Sequence, residues 1–185
     1  MATKIPGGEG IVIKKIAITG PESTGKSEMA QKLADYFNTV WVPEYAREYV
    51  AGLNRPYTIE DIKTIAQKQL KIEQQLEVKA YKLLVCDTAL IVPKIWSEFV
   101  FNKNIPWIDE KITTHTYDLY LLMDIDLPWQ DDPLREHPHQ RKILFNRYYE
   151  ELTKNNFPFG IVSGSGNHRM ESALEVIKNH RLITF

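Results

Sequence analysis

A chain of 185 residues is long enough for one well-packed domain and short for two, so we expect a single domain over residues 1–185. Its 23 basic and 24 acidic residues nearly cancel to a formal net charge of −1, which argues against nucleic-acid or membrane-surface partners because these need a basic field. The single cysteine, Cys86, excludes a disulfide framework and a thiolate metal site. With no leader-like segment and no run of 18 apolar residues, a cytoplasmic location is expected.

Strand and helix patterns alternate along the chain, which is typical of a parallel sheet covered by helices. The predicted strands are 11–19, 39–42, 83–86, 119–123 and 160–162, with a possible short edge strand at 182–184. The predicted helices are 26–37, a short one ending near 53, 59–80 with Thr58 as its cap, 89–101, 142–154 and 170–178. These elements predict a doubly wound α/β domain with five parallel strands, in which ligands bind beyond the carboxyl ends of the strands.

Residues 20–27 read Gly-Pro-Glu-Ser-Thr-Gly-Lys-Ser, a complete phosphate-loop pattern G-x-x-x-x-G-K-[ST] between a predicted strand and a predicted helix. In this pattern backbone N–H groups and the helix N-terminus face the phosphates, the lysine reaches the β- and γ-phosphates, and the serine hydroxyl ligates Mg²⁺. ATP and Mg²⁺ are therefore the predicted cofactors. The predicted nucleotide-binding residues in the loop are Gly20, Glu22, Ser23, Thr24, Gly25, Lys26 and Ser27.

Three carboxylates follow predicted strands: Glu44, Asp87 and Asp124. Asp87 is favoured as the metal-orienting group because the strand after the second long helix usually lies beside the phosphate-loop strand; a helix cap is the alternative for Asp87 and for Asp124. Glu44 is placed to accept a hydrogen bond from a sugar hydroxyl. An ordinary surface ion pair between Glu44 and Arg47 is the competing interpretation.

Residues 126–141 are polar and lack an apolar period, which predicts a lid that closes over the site. Arg135 and Arg141 in the lid are candidates for stabilising charge on the γ-phosphate. After the fifth strand, Gly164 permits close backbone approach to a flat ligand and Arg169 is a candidate for stacking on it. Trp129, in the polar lid, is the aromatic residue hardest to explain as core.

Four segments occur in order: the phosphate loop, Trp41-Val42-Pro43-Glu44-Tyr45-Ala46-Arg47-Glu48-Tyr49, Asp87-Thr88, and Leu127-Pro128-Trp129-Gln130-Asp131-Asp132-Pro133-Leu134-Arg135. Together they resemble the nicotinamide riboside kinase domain of the bifunctional NAD-biosynthesis regulator, within the phosphate-loop kinase superfamily, over nearly the whole chain. The resemblance implies ATP-dependent phosphorylation of the ribosyl 5′-hydroxyl of nicotinamide riboside, giving nicotinamide mononucleotide. It implies catalytic roles for Lys26, Asp87, Glu44, Arg135 and Arg141, metal ligation by Ser27 and Asp87, and substrate contacts by Glu44, Tyr45, Arg47, Trp129 and Asp132.

Two alternatives stay open. The first is a kinase of the same fold with another nucleoside or a nucleoside monophosphate as acceptor. A monophosphate acceptor would need extra cations, which Arg47, Arg55 and Lys63 could supply. A regulatory ATPase would bind nucleotide without any small-molecule acceptor. A GTPase is not favoured, because Asn102-Lys103-Asn104-Ile105 lacks the aspartate of the N-K-x-D guanine signature.

Overall fold

The computed structural model describes residues 12–182. Its elements follow one another as β1 (Lys14–Thr19), α1 (Lys26–Tyr36), β2 (Trp41–Val42), α2 (Tyr45–Ala51), α3 (Ile59–Glu77), β3 (Leu83–Asp87), α4 (Ile91–Phe101), α5 (Pro106–Thr114), β4 (Leu119–Met123), α6 (Arg141–Lys154), β5 (Phe159–Val162) and α7 (Gly166–Asn179). No helix within residues 12–182 is both long and apolar enough to cross a membrane.

All five strands are parallel and lie in the order β2-β3-β1-β4-β5. The strand that carries the phosphate loop is central, with β3 on one side and β4 on the other. The register pairs Ile18 with Asp87 and Thr19 with Leu122, so the carboxyl ends of these strands meet at one edge. The predicted α/β fold with a five-stranded parallel sheet is confirmed.

Both faces of the sheet are buried, which is why its strands read as continuous apolar runs. Successive residues of β1 belong to the helix layers on opposite faces of the sheet. Ile16 and Ile18 pack with α1 and α7, whereas Ala17 packs with α4 and α6. A smaller cluster joins α3, α4 and α5 beside the sheet. This packing holds the carboxyl ends of the strands rigidly, which is what a site built from strand ends requires.

The structure differs from the predicted elements in a few places. Helix α5 was not predicted, although Pro106 in its first turn and the buried pair Ile108 and Ile112 are ordinary helix signals. Helix α7 begins at Gly166 rather than Met170, because the glycine-rich segment before it turns directly into the helix after Ser165. Two predicted strands reach beyond the described residues: the first begins at residue 11, and the edge strand includes residues 183–184. Leu182 is described and is not in a strand.

Candidate active site at the carboxyl edge of the sheet

The phosphate loop leaves β1 through a backbone conformation that only glycine adopts readily. Gly20 has φ +133°, and a Cβ there would lie 2.9 Å from the Met123 carbonyl oxygen. Gly25 has φ +77° and immediately precedes α1. Inside the loop the Thr24 hydroxyl and the Lys26 ammonium each donate a hydrogen bond of 2.8 Å to the Pro21 carbonyl oxygen. The loop is thus preformed at the N-terminus of a helix, where anions bind.

Asp87 ends β3 beside the phosphate loop and is 1% exposed. Neither of its carboxylate oxygens has a hydrogen-bond partner among residues 12–182. Burial and then the negative charge of Glu44 raise the pKa of Asp87 to about 6, while Ser27, Lys26 and Arg47 act in the opposite direction. A buried carboxylate without a partner is costly, so these oxygens fit a hard cation held jointly with the Ser27 hydroxyl. No cluster of three or more His, Cys, Asp or Glu side chains able to hold a metal occurs in the described part of the chain.

Glu44 immediately precedes α2 and lines the cavity described below. Its Oε1 accepts a hydrogen bond of 3.4 Å from the Thr88 hydroxyl, and Thr88 has φ +91°. A β-branched residue with positive φ is a true backbone outlier, and such strain concentrates at functional sites. The buried Gln69 holds the same segment from α3, accepting from the Tyr45 N–H (2.8 Å) and donating to the Pro43 carbonyl (3.1 Å). Tyr45 is therefore bound through its backbone to α3, and it does not line the cavity.

The lid, residues 126–141, has no helix or strand before Arg141 and lies on the phosphate loop. The Ser23 hydroxyl accepts hydrogen bonds from the Gln130 N–H (2.8 Å) and from Arg135 (3.3 Å). Arg141 donates to the Ser23 carbonyl (3.1 Å) and to the Leu127 carbonyl (2.9 Å). Both predicted lid arginines are thus brought to the phosphate loop, but only Arg135 of the two lines the cavity.

Arg169, predicted to stack on a flat ligand, lines the cavity, and its guanidinium is bonded to protein groups. It is 4% exposed, and its guanidinium donates to the carbonyls of Thr24 (3.0 Å), Asp124 (2.9 Å) and Gly164 (2.7 Å) and to the Asp126 carboxylate. Because the phosphate loop, the lid and α7 share this one side chain, Arg169 fixes their relative positions.

Asp124 and Gly164 have structural partners of their own. The Asp124 carboxylate accepts from the Ile125 N–H (2.7 Å) and the Ser163 hydroxyl (2.9 Å), so unlike Asp87 it has no unpaired oxygen. The Gly164 N–H donates to Asp126, and Gly164 does not line the cavity. These contacts leave Asp87, and not Asp124, as the strand-end carboxylate with unpaired oxygens among the described residues.

The predicted substrate residues behave differently from one another. Arg47 does not pair with Glu44; its guanidinium binds the Asp132 carboxylate at 2.7 and 2.8 Å and so joins α2 to the lid. Trp129 donates from Nε1 to Asp131 (2.8 Å) and does not line the cavity. Of the predicted substrate residues, Glu44 and Arg47 line the cavity, whereas Tyr45, Trp129 and Asp132 do not.

A cavity of about 750 Å³ extends from the phosphate loop to a pocket between α2, α3, α4 and the lid. At its far end three aromatic side chains form a wall, Tyr57, Trp96 and Phe99. Trp96 donates from Nε1 to the Tyr57 hydroxyl (3.2 Å), which in turn donates to Glu136 of the lid (2.5 Å). Burial and the bond to Glu136 raise the pKa of Tyr57 to about 12, so the phenol stays protonated.

The sequence reasoning missed Tyr57 and Phe99 of the wall. The wall residues come from a loop and from α4, and the apolar helical spacing of Trp96 and Phe99 is the same for a core residue and for a pocket residue. Thr88 belongs to the Asp87-Thr88 segment, but its positive φ was not predictable because β-branched residues rarely adopt it.

The AAA domain family AAA_28 matches residues 15–169. The chain is 29% identical over 153 residues to the trifunctional NAD biosynthesis/regulator protein NadR of Salmonella typhimurium. That alignment covers 80% of this chain and 37% of the relative, so the chain spans well under half the length of the protein it matches.

Solved structures of similar fold include the NadR protein in complex with NR, with a TM-score of 0.82, 20% identity and coverage of 94% of this chain and 53% of that one. The NadR protein in complex with NAD and AMP-PNP gives a TM-score of 0.77 at 19% identity, covering 94% and 51%. Thymidylate kinase from Ehrlichia chaffeensis gives 0.63 at 16% identity, covering 90% and 97%. The resemblance expected from the sequence motifs is confirmed, and the fold is that of the phosphate-loop kinases.

Proposed function

The chain belongs to the AAA_28 family of AAA domains, and from that premise we propose that it is an ATP-dependent kinase that phosphorylates the ribose 5′-hydroxyl of nicotinamide riboside, giving nicotinamide mononucleotide. The observation that carries the proposal is the single cavity joining the phosphate loop to a second pocket walled by Tyr57, Trp96 and Phe99. A regulatory ATPase without a small acceptor needs only the first of these regions. A kinase needs both, because donor and acceptor must meet in one water-poor space.

The charges around the second pocket favour a nucleoside over a nucleoside monophosphate. Two of the cations that would bind an acceptor phosphate are already paired: Arg47 with Asp132 and Arg55 with Asp61, at 2.7 and 2.6 Å. The third, Lys63, lies on the exposed side of α3. An acceptor phosphate would have to share a guanidinium that already holds a carboxylate, whereas a nucleoside leaves both ion pairs undisturbed.

The wall of the second pocket suits a flat cationic ring. Tyr57 and Trp96 present their rings 4.9 Å apart in an edge-to-face arrangement, and the carboxylates of Glu44 and Glu136 lie on the same cavity. Aromatic faces and carboxylates both attract a pyridinium cation, with cation–π energies of about 0.5–2 kcal/mol. The similarity to the NadR protein, which was crystallised in complex with NR, supports the same acceptor.

In the proposed reaction the 5′-hydroxyl oxygen attacks the γ-phosphorus of ATP. The new O–P bond forms, the bond from the γ-phosphorus to the β-phosphate oxygen breaks, and Glu44 accepts the hydroxyl proton. Lys26 and the loop N–H groups hold the phosphates, and Arg135 and Arg141 add positive charge from the lid. Ser27 and Asp87 would hold Mg²⁺, which when bound neutralises phosphate charge.

The test is to measure ADP formation with ATP and Mg²⁺, alone and with each member of a nucleoside panel, and to identify products by mass spectrometry. We expect strong stimulation by nicotinamide riboside and formation of its 5′-monophosphate. Glu44→Gln should lower kcat by about 10²–10⁴-fold, and Glu48→Gln, an exposed neighbour on α2, is the matched control and should keep wild-type activity. Stimulation by a different nucleoside would mean that this nucleoside, and not nicotinamide riboside, is the acceptor. If no acceptor changes the rate of ATP turnover, the kinase proposal is wrong.

A further inference from the structure

Glu22, in the middle of the phosphate loop, does not point its carboxylate towards Lys26 or Ser27. It accepts hydrogen bonds from two consecutive backbone N–H groups of the lid: Glu136 at 3.1 and 3.3 Å and His137 at 3.0 Å. A carboxylate that accepts backbone N–H donors forms charge-assisted bonds, which are stronger than neutral ones.

The same two lid residues reach the opposite end of the cavity through their side chains. The Glu136 carboxylate accepts from the Tyr57 hydroxyl, and the His137 ring packs edge-on against Phe99 with ring centres 5.0 Å apart. Tyr57 and Phe99 belong to the wall of the second pocket. Residues 136–137 therefore bridge the phosphate loop and the acceptor wall.

We propose that Glu22 is a positioning residue that latches the lid over the reaction centre, and that this latch makes the acceptor hydroxyl rather than water receive the phosphoryl group. The inference rests on the proposed kinase function. The Glu22 carboxylate is bonded to two backbone N–H groups of the lid, so it acts through the backbone of the lid. Closing a lid in this way excludes water from phosphoryl transfer.

With the latch removed, water enters the same reaction. A water oxygen bonds to the γ-phosphorus, the bond to the β-phosphate oxygen breaks, and the proton passes to solvent, so that ATP and water give ADP, inorganic phosphate and H⁺. The measurable signature is uncoupling: more ADP is formed per molecule of phosphorylated acceptor. Loss of a structural contact alone would lower both products together and leave their ratio unchanged.

The experiment compares the full-length wild type with Glu22→Ala, Glu22→Gln and the control Glu150→Ala, an exposed carboxylate on α6. In Glu22→Ala we expect the ratio of inorganic phosphate to phosphorylated acceptor to rise about tenfold, the effect of about 1.4 kcal/mol of lost lid-closing interaction. The affinity for a non-hydrolysable ATP analogue should change by no more than about twofold, because the loop keeps its phosphate-binding groups. Glu22→Gln keeps one acceptor oxygen, so its product ratio should lie between those of wild type and Glu22→Ala. The product ratio of Glu150→Ala should match that of the wild type.

A second readout does not depend on any acceptor. In the presence of the ATP analogue, hydrogen exchange of the lid peptide containing residues 136–137 should be about tenfold faster in Glu22→Ala than in wild type. Unchanged exchange together with an unchanged product ratio would overturn the latch. If the wild type phosphorylates no acceptor, the proposed function fails, and the exchange measurement still decides whether Glu22 holds the lid.

Discussion

Replacing Gly20 by alanine should destabilise the whole sheet through the phosphate loop. Gly20 has φ +133°, and its added Cβ would lie 2.9 Å from the carbonyl oxygen and 3.3 Å from the nitrogen of Met123. The backbone conformation costs about 1–3 kcal/mol for a non-glycine residue. The overlap with β4 costs about 1–3 kcal/mol more, because Met123 ends a strand paired with β1 and cannot move alone. The expected loss is therefore roughly 2–6 kcal/mol, against a typical total stability of about 5–15 kcal/mol.

Urea unfolding followed by circular dichroism measures this loss as a fall in the transition midpoint at constant slope. Gly52→Ala is the matched control: Gly52 follows α2 with φ −83°, and its added Cβ would meet no atom outside the neighbouring residues closer than 3.5 Å. That substitution should be neutral or stabilise by about 0.4–1 kcal/mol. Equal midpoints for Gly20→Ala and wild type would refute the reasoning from φ and from the Met123 contact.

Three further predictions concern charge and strain. Arg55 holds the pKa of Asp61 well below its usual range, so ionised Asp61 stabilises the fold above its unfolded pKa of about 3.9, and this stabilisation is lost as the pH falls. In urea titrations the difference in unfolding free energy between wild type and Asp61→Asn should therefore shrink from pH 5 to pH 2, and a constant difference would contradict this. The exposed pair of Arg47 and Asp132 should couple by no more than about 1 kcal/mol in a double-mutant cycle of unfolding free energies, and a larger value would mean that the lid contributes to global stability. Thr88→Gly should raise the melting temperature, because it relieves a φ of +91° that costs a non-glycine residue about 1–3 kcal/mol. It should also lower turnover in the proposed kinase reaction, because the hydrogen bond to Glu44 is lost. An unchanged or lower melting temperature would show that the backbone at residue 88 is not strained.

The fold could be predicted from the sequence because strand periodicity and the phosphate loop act locally and point the same way. Buried parallel strands such as 119–123 are continuous apolar runs, and the structure has β4 over the same residues. The capped start of α3 was equally visible, since Thr58 and Asp61 form both bonds of a capping box. Helix α5 was missed because it is short and lies beside the sheet, outside the alternation of strands and helices.

The sequence predicted which strand ends carry the functional side chains, but not the contacts that these side chains make. The sequence placed Glu44 and Asp87 at the carboxyl edge, where the structure brings them close enough for Glu44 to raise the pKa of Asp87. The sequence could not show which residues far apart in the chain contact each other. Arg47 pairs with a residue 85 positions away, and the Arg169 guanidinium donates hydrogen bonds to backbone carbonyl groups. Such contacts depend on the three-dimensional path of the lid, which has no periodic pattern to read.

The hydrogen bond from Arg169 to the Thr24 carbonyl joins residues 145 positions apart. Contacts this distant in sequence form late, because the loop between them must close first. During synthesis the phosphate loop leaves the ribosome early, but the side chain that braces it arrives with the last helix. A nascent chain therefore has no fully braced phosphate loop until α7 has docked.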